Sequence, residues 1–235
     1  MQQPAIRENL LRVREDIVLA AKHAGRSADE ITLVGVSKTH PAEAIREAFE
    51  AGLRHFGENR VQEWEGKRGG IADLPAVWHL IGHLQSNKAV RAANLFGCVD
   101  AVDDIALAQK LDRACGAMPA APRLRILLEV HLGAEETKSG ISESELPQLA
   151  EQLQPLERLE LSGLMCIPPY LENPEEVRPF FARLRTLRDQ LEVRLGRKLP
   201  VLSMGMSHDF AAAILEGATE VRVGTAIFGT RSAGH

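Results

Sequence analysis

The chain has 235 residues, a net charge of -4 and a composition that is 45% hydrophobic, 26% charged and 4% aromatic. That length is enough for one large domain or two small ones, with a sizeable core. The mildly acidic balance leaves no basic footprint for nucleic acid, and so few aromatics offer no base-stacking platform.

No apolar run approaches the ~20 residues that span a bilayer. The opening "MQQPAIRENLLRVRED" is charged throughout and lacks the apolar core of a signal peptide. Cys98, Cys115 and Cys166 lie far apart and show no metal-type pairing. Free thiols in a reducing cytoplasm are the expectation.

Ile6 to Gly25 reads as a helix, with Leu10, Val13, Ile17 and Ala21 at helical spacing and Gly25 as the stop. Strands and helices then alternate. "ITLVGVSK" is a strand, and "PAEAIREAFEAG" a helix with Pro41 in its first turn. "LRHFGE" is a short strand before a helix from Asn59 to about Arg68. "AVWHLIG" precedes "SNKAVRAANL", a helix opened by Ser86. "GCVDAV" precedes "DIALAQKLDRACG", capped by Asp103 or Asp104. "LRILLEVHL" is the clearest strand, followed by the helix "SESELPQLAEQL". "LELSGLMCI" leads, through the Pro-containing loop "CIPPYLENPEE", to a helix from Pro174 to Gly196. "PVLSMG" is followed by "HDFAAAILEG", and "EVRVG" is the last strand, with "TAIFG" after it.

Eight strands joined by helices imply parallel pairing with right-handed crossovers. Eight units in this length predict an α/β fold, a single-domain (β/α)8 barrel over residues 1–235 with an extra N-terminal helix. The alternative is an open doubly wound sheet. That fold usually has a Gly-rich first turn, which "GVSKTHPAE" lacks.

A barrel collects its site at the C-terminal ends of its strands. Those ends carry Lys38; Glu58 and Asn59; His79 and His83; Asp100; His131 with the "EETKSG" loop; Met165; Ser203 to Ser207, including Met204; and Gly224 with Thr225. Strand ends are generally more polar than strand middles, and that account covers Glu58, His79 and Asp100. A lysine at a strand end usually marks the surface. The sharper reading of Lys38 is an amine held in a dry pocket, where burial lowers its pKa and lets it attack a carbonyl. "SMGMSHDF" and "RVGTAIFG" place Gly205, Ser207, Gly224 and Thr225 in the turns after strands seven and eight. Loops there frequently hold a phosphate, although the same glycines suit tight turns. The first and eighth strands of a closed barrel are neighbours. A ligand with an aldehyde at one end and a phosphate at the other would bridge them, and pyridoxal 5'-phosphate (PLP) has that shape.

The stretches "ITLVGVSKTHPAEAIREAFEAGLRHFGENRVQE", "WHLIGHLQSNK" and "SMGMSHDFAAAILEGATEVRVGTAIFGTR" resemble the pyridoxal phosphate homeostasis proteins, the YggS/PROSC family. The resemblance covers nearly the whole chain. It implies a PLP-binding barrel similar to the N-terminal domain of alanine racemase. By that resemblance Lys38 forms the internal aldimine, and Ser207, Gly224 and Thr225 hold the phosphate. Arg222 faces the pyridine nitrogen, while Asn59 and Met204 lie near the cofactor. Lys138, in "ETKSG", approaches the ring hydroxyl and is a possible second acceptor. The pattern departs at His131, where many members place an asparagine.

The family implies a cytoplasmic carrier or regulator of PLP supply without robust catalytic turnover. Its partners are PLP and, transiently, apo PLP-dependent enzymes, with no nucleic acid and no membrane. A racemase would need a second base, in that pattern a tyrosine from a second domain. The chain is expected to end after its eighth unit, and its one tyrosine is Tyr170 in the long loop. A permanently charged Arg222 also leaves the ring a weak electron sink. Two alternatives stay open: a single-domain PLP-dependent racemase-like enzyme, and a Schiff-base aldolase acting on sugar phosphates without a cofactor.

Overall fold

The computed structural model describes residues 5–117, 122–133 and 139–230. Helix α1 (Ile6–His23) precedes β1 (Thr32–Val36) and α2 (Ala42–Glu50). Next come β2 (His55–Glu58), α3 (Val61–Arg68), β3 (Val77–Leu80), α4 (Ala89–Leu95), β4 (Cys98–Val102) and α5 (Ile105–Gly116). The second half holds β5 (Leu124–Glu129), α6 (Leu146–Gln152), β6 (Leu159–Met165), α7 (Arg178–Leu195), β7 (Val201–Ser203), α8 (Phe210–Leu215), β8 (Glu220–Val223) and α9 (Thr225–Phe228). The eight strands close into one parallel barrel in chain order, with β1 bonded to both β2 and β8.

Each predicted strand is present, generally shorter than the sequence implied. The single barrel domain with an added helix is therefore the observed architecture, not the open sheet. Asp104 caps α5, accepting a hydrogen bond from Leu107 N at 2.7 Å. Ser86 does not cap its helix. The chain there begins as a 3-10 turn (Ser86–Lys88), and Ser86 Oγ instead accepts from Lys110 Nζ at 2.8 Å.

Strand alternation sorts side chains into two compartments. On β5, Leu124, Ile126 and Leu128 join the main core between strands and helices, so Arg125, Leu127 and Glu129 turn into the barrel. Leu127, Ala101 and Met165 form a separate small apolar cluster inside it. Helix α1 buries Leu10, Val13, Ile17 and Ala21, as its spacing implies, and Asn9 Nδ2 donates to Ile227 O in α9 at 2.9 Å. No helix among the described residues is long and apolar enough to cross a membrane.

Candidate functional site

The barrel floor holds a charged network. His79 Nδ1 lies 2.8 Å from Asp100 Oδ2 and its Nε2 lies 3.0 Å from His55 Nδ1. Arg125 donates to Glu220 Oε2 at 2.7 Å and stands 3.5 Å from Asp100 Oδ1. His55 and Glu220 open their strands, so the network sits at the strands' N-terminal ends. His79 and Asp100, strand-end candidates in the sequence, thus serve the floor and not the mouth. Burial opposes charge on His79, but Asp100, a hydrogen bond to Cys98 and Glu220 together push it up to about 10. Burial, with His79 and Arg125 beside it, pushes His55 down to about 4. The ligating atoms of His79, Cys98 and Asp100 lie within 4.8 Å of one another. With the Arg125 guanidinium against two of them, an ion-pair network is the better account than a cation site.

The mouth is built differently. Val34 and Val36 are buried, and Lys38 continues their inward alternation two residues beyond β1. Lys38 is half-buried. Its flanks are pinned. Ser37 Oγ donates to the buried Glu58 Oε1 at 2.6 Å, and Ser37 N donates to Gly57 O at 3.0 Å. Thr39 N donates to Glu63 Oε1. Lys67 Nζ reaches Ser37 O at 2.9 Å, both Glu58 oxygens at 3.0 Å and Glu63 Oε1 at 2.8 Å. Burial raises the Glu58 carboxyl pKa against the pull of Lys67 and Ser37. Burial also opposes charge on Glu63, but Lys67 and the Thr39 amide hold its pKa below the usual range. Among the described residues Thr39 is the one non-glycine with a left-handed backbone, at φ 65°. That conformation costs about 1–2 kcal/mol.

On the next strand Arg222 pairs in register with Val34. Its guanidinium is only 3% exposed. Nη1 donates to Ser203 Oγ at 2.7 Å and Nη2 to the Cys166 carbonyl at 2.8 Å, both neutral oxygens. The Cys166 thiol is pushed up to about 12 by burial, despite Arg222, which makes it inert.

The β7–α8 and β8–α9 turns meet beside it. Gly205 has φ 92°, and a Cβ there would lie 2.6 Å from that of Ala213, so this turn requires glycine. Asp209 Oδ1 accepts from Met206 N at 2.6 Å and holds the turn. Ser207 Oγ receives the Gly224 amide at 3.2 Å and the Ala226 amide at 3.4 Å. Gly224 itself has φ -110°, open to any residue, so a tight turn does not explain it. Thr225 is exposed at the start of α9.

Five predicted residues therefore gather on adjacent elements: Lys38 after β1, Arg222 on β8, and Ser207, Gly224 and Thr225 on the neighbouring turns. Asn59 is half-buried and lines a cleft of about 570 Å³ with Arg60, His83, Gln85 and Lys88. Met204 is fully buried in the main core, so its side chain packs under the turn. Lys138 lies outside the described residues. Glu129, at the end of β5, accepts from Ser139 Oγ at 3.0 Å, and burial raises its pKa. Tyr170 is 74% exposed and packs at a tilt against His208, which bonds the Leu171 and Glu172 carbonyls.

Sequence reasoning missed Lys67 and Glu63 altogether and gave Glu58 only an ordinary strand-end role. The spacing of Glu63 and Lys67 at i and i+4 was the available signal.

The donors at the mouth are an amine, a guanidinium, a hydroxyl and two turn amides. A buried guanidinium bonded to two neutral oxygens favours a negative partner. This set fits a ligand that carries both an anion and a carbonyl.

Comparison with known proteins agrees. The family described as alanine racemase, N-terminal domain, matches residues 5–232. The chain is 46% identical to the pyridoxal phosphate homeostasis protein of Aquifex aeolicus over 95% of this chain and 97% of that one. It is 47% identical to the protein of that name from Pseudomonas aeruginosa, over 97% of each. PipY of Synechococcus elongatus, solved with PLP bound, superposes with a TM-score of 0.84 at 40% identity, covering 95% of this chain and 100% of that one. An alanine racemase of Clostridium difficile shares the fold at 17% identity, with a TM-score of 0.70 over 95% of this chain and 56% of that one. The family model and the pyridoxal phosphate homeostasis relatives match almost end to end, so the chain belongs to the pyridoxal phosphate homeostasis protein family, built on the alanine racemase N-terminal domain.

Proposed function

We propose that this chain binds pyridoxal 5'-phosphate at the barrel mouth through Lys38 and contributes to the intracellular homeostasis and supply of that cofactor, without robust turnover of amino acids. The observation that carries this reading is the junction of β1 and β8. There an inward-facing lysine, a buried arginine and the Ser207–Gly224–Ala226 donors share one end of the barrel. When bound, the cofactor supplies an aldehyde carbon to which an amine adds reversibly with loss of water.

The chain's own residues set what can happen there. Lys38 offers the amine. Ser207 and the turn amides of Gly224 and Ala226 offer donors to a phosphate, with Thr225 at the rim. Lys138 is a candidate second amine. Asn59 follows β2, on the other side of β1 from Arg222, and Met204 supports the turn from beneath. Arg222 would donate to the ring nitrogen of the bound cofactor, and a guanidinium does not readily give up a proton. The ring is then a weak electron sink, which disfavours carbanion chemistry. The only tyrosine of the sequence stands exposed on the rim, tilted against His208. These features favour holding and releasing the cofactor over racemisation. Release to apo PLP-dependent enzymes in the cytoplasm is the corresponding partner reading.

The experiment is an absorption spectrum of the purified protein with PLP, before and after borohydride reduction, followed by mapping of the modified peptide. A violet-absorbing band that reduction fixes on Lys38 is expected. A fully occupied adduct on another lysine, persisting in Lys38→Ala, would sink the assignment. A protein that stays colourless at saturating PLP would favour the aldolase reading.

A further inference from the structure

We infer that Lys67, acting with Glu58 and Glu63, is a positioning residue for Lys38: it clamps the backbone on both sides of that lysine. The inference rests on the reading of Lys38 as the lysine that holds the cofactor.

Lys67 lies in the last turn of α3, and its side chain is only 12% exposed. An ammonium has three donors and no acceptor. Here the three find the Ser37 carbonyl, the Glu58 carboxylate and the Glu63 carboxylate. Lys67 is thus fully engaged as a charged tether and has no proton-free role beside Lys38. Each partner returns to the same short segment. Glu58 accepts the Ser37 hydroxyl, and Glu63 accepts the Thr39 amide. Ser37 O also accepts from His40 N at 3.1 Å, closing the turn that displays Lys38.

The backbone records the constraint. Thr39 stands at φ 65°, which an L-residue with a branched side chain avoids unless its surroundings impose it. The bond from Thr39 N to Glu63, with Lys67 behind Glu63, supplies that imposition. A clamp that served only to fasten α3 to the barrel would not need to grip the residues immediately before and after Lys38.

The geometry matters because addition to a carbonyl requires the amine within a narrow range of distance and direction. A loosened turn lets Lys38 sample the mouth without dwelling in it. The cost then falls on the rate and affinity of loading more than on global stability.

The test compares Lys67→Met, Lys67→Arg and Glu63→Ala with the wild-type chain, using PLP as the probe. Loading is followed by the growth of the violet band, occupancy by borohydride mapping, and stability by thermal melting. Lys67→Met and Glu63→Ala should each lower the loading rate and apparent affinity by about tenfold or more. Lys67→Arg, which keeps the charge, should recover part of that loss. A core variant at the other end of the barrel, Leu191→Ala, is the stability control, since Leu191 is buried near the C-terminal end of α7. If Lys67→Met does not fold, Glu63→Ala decides the matter, because its side chain is partly exposed. Loading at the wild-type rate and affinity in the folded variants would overturn the inference. So would equal slowing in Leu191→Ala. Mapping of the wild-type adduct to a different lysine would instead remove the reading of Lys38 on which the inference stands.

Discussion

Arg222 Nη1 donates to Ser203 Oγ across the β7–β8 junction at 2.7 Å, while Nη2 donates to the carbonyl of Cys166. One buried cation therefore ties the ends of β6 and β7 to β8 at the side of the mouth nearest β1. Its removal strands a hydroxyl and a carbonyl in a site with little access to water. Arg222→Met should cost about 1–3 kcal/mol for each acceptor left unpaired. Urea denaturation of the ligand-free protein measures it. A loss below about 0.5 kcal/mol, the level of an ordinary surface change, would mean the acceptors find other donors. On the proposed placement of the ring nitrogen against Arg222, PLP should bind Arg222→Met more weakly as well.

The convergence of Ser207 Oγ with the amides of Gly224 and Ala226 makes a separate expectation for the phosphate. A hydrogen bond to a charged acceptor contributes about 1.5–3 kcal/mol. Ser207→Ala should therefore weaken PLP binding by about tenfold or more, measured by titration of the violet band. Pyridoxal, which lacks the phosphate, should bind far more weakly than PLP to the wild-type chain and lose little further in Ser207→Ala. Equal affinity for the two compounds would remove these turns from the account.

The barrel floor should govern how stability depends on pH, independently of any ligand. His79 has its folded pKa pushed up to about 10, from 6.5. It contributes stability that is full below about pH 6.5 and lost as pH rises toward 10, with a slope of at most ~1.4 kcal/mol per pH unit. His55 has its folded pKa pushed down to about 4, from 6.5. Its contribution is present above about pH 6.5 and lost as pH falls toward 4, along a shallower limb because its ring is partly in contact with solvent. Melting temperature against pH should peak near neutrality. His79→Gln should flatten the alkaline limb and His55→Gln the acid limb. An alkaline limb unchanged in His79→Gln would mean that the imidazole is neutral in the folded protein.

The alternation of apolar strands and amphipathic helices was enough to read the barrel, because each unit spans a short piece of sequence with its own period and its own stop signals. Gly25 and Asp104 mark helix boundaries where they were read. Lys38 and the Ser207 and Gly224 turns were proposed for a similar reason, since each lies just past a strand end where a barrel puts its chemistry, whereas Arg222, within β8, came only from the family resemblance. The clamp and the floor were not. Glu58 meets Ser37 only because β1 and β2 pair with Val36 opposite Gly57, a register that sequence does not print. His55, Arg125 and Glu220 are far apart in sequence, and only the inward alternation of their strands brings them to one floor. Ser86 misled for a local reason, since its hydroxyl is taken by Lys110, whereas a capping hydroxyl accepts from its own helix.

The choice between carrier and enzyme turns on what Arg222 and Tyr170 do at the mouth. With Arg222 against the ring nitrogen, as proposed, that nitrogen would stay unprotonated and an α-carbanion would gain little stabilisation. Racemisation further needs a second base opposite Lys38, and the single tyrosine is exposed on the rim against His208. Displacement of Lys38 by an incoming amine requires neither group. The expectation is that the loaded protein restores activity to an apo PLP-dependent enzyme mixed with it. The same loaded protein, incubated with a panel of amino acids in deuterated water, should exchange their α-protons far more slowly than an ordinary enzyme turns over. Restoration must exceed that given by free PLP at the concentration the protein releases on its own, which separates direct delivery from simple leakage. Exchange at ~1 per second or faster, within the usual range of kcat, would make the racemase-like enzyme the correct reading and would require a second base that the exposed Tyr170 does not supply.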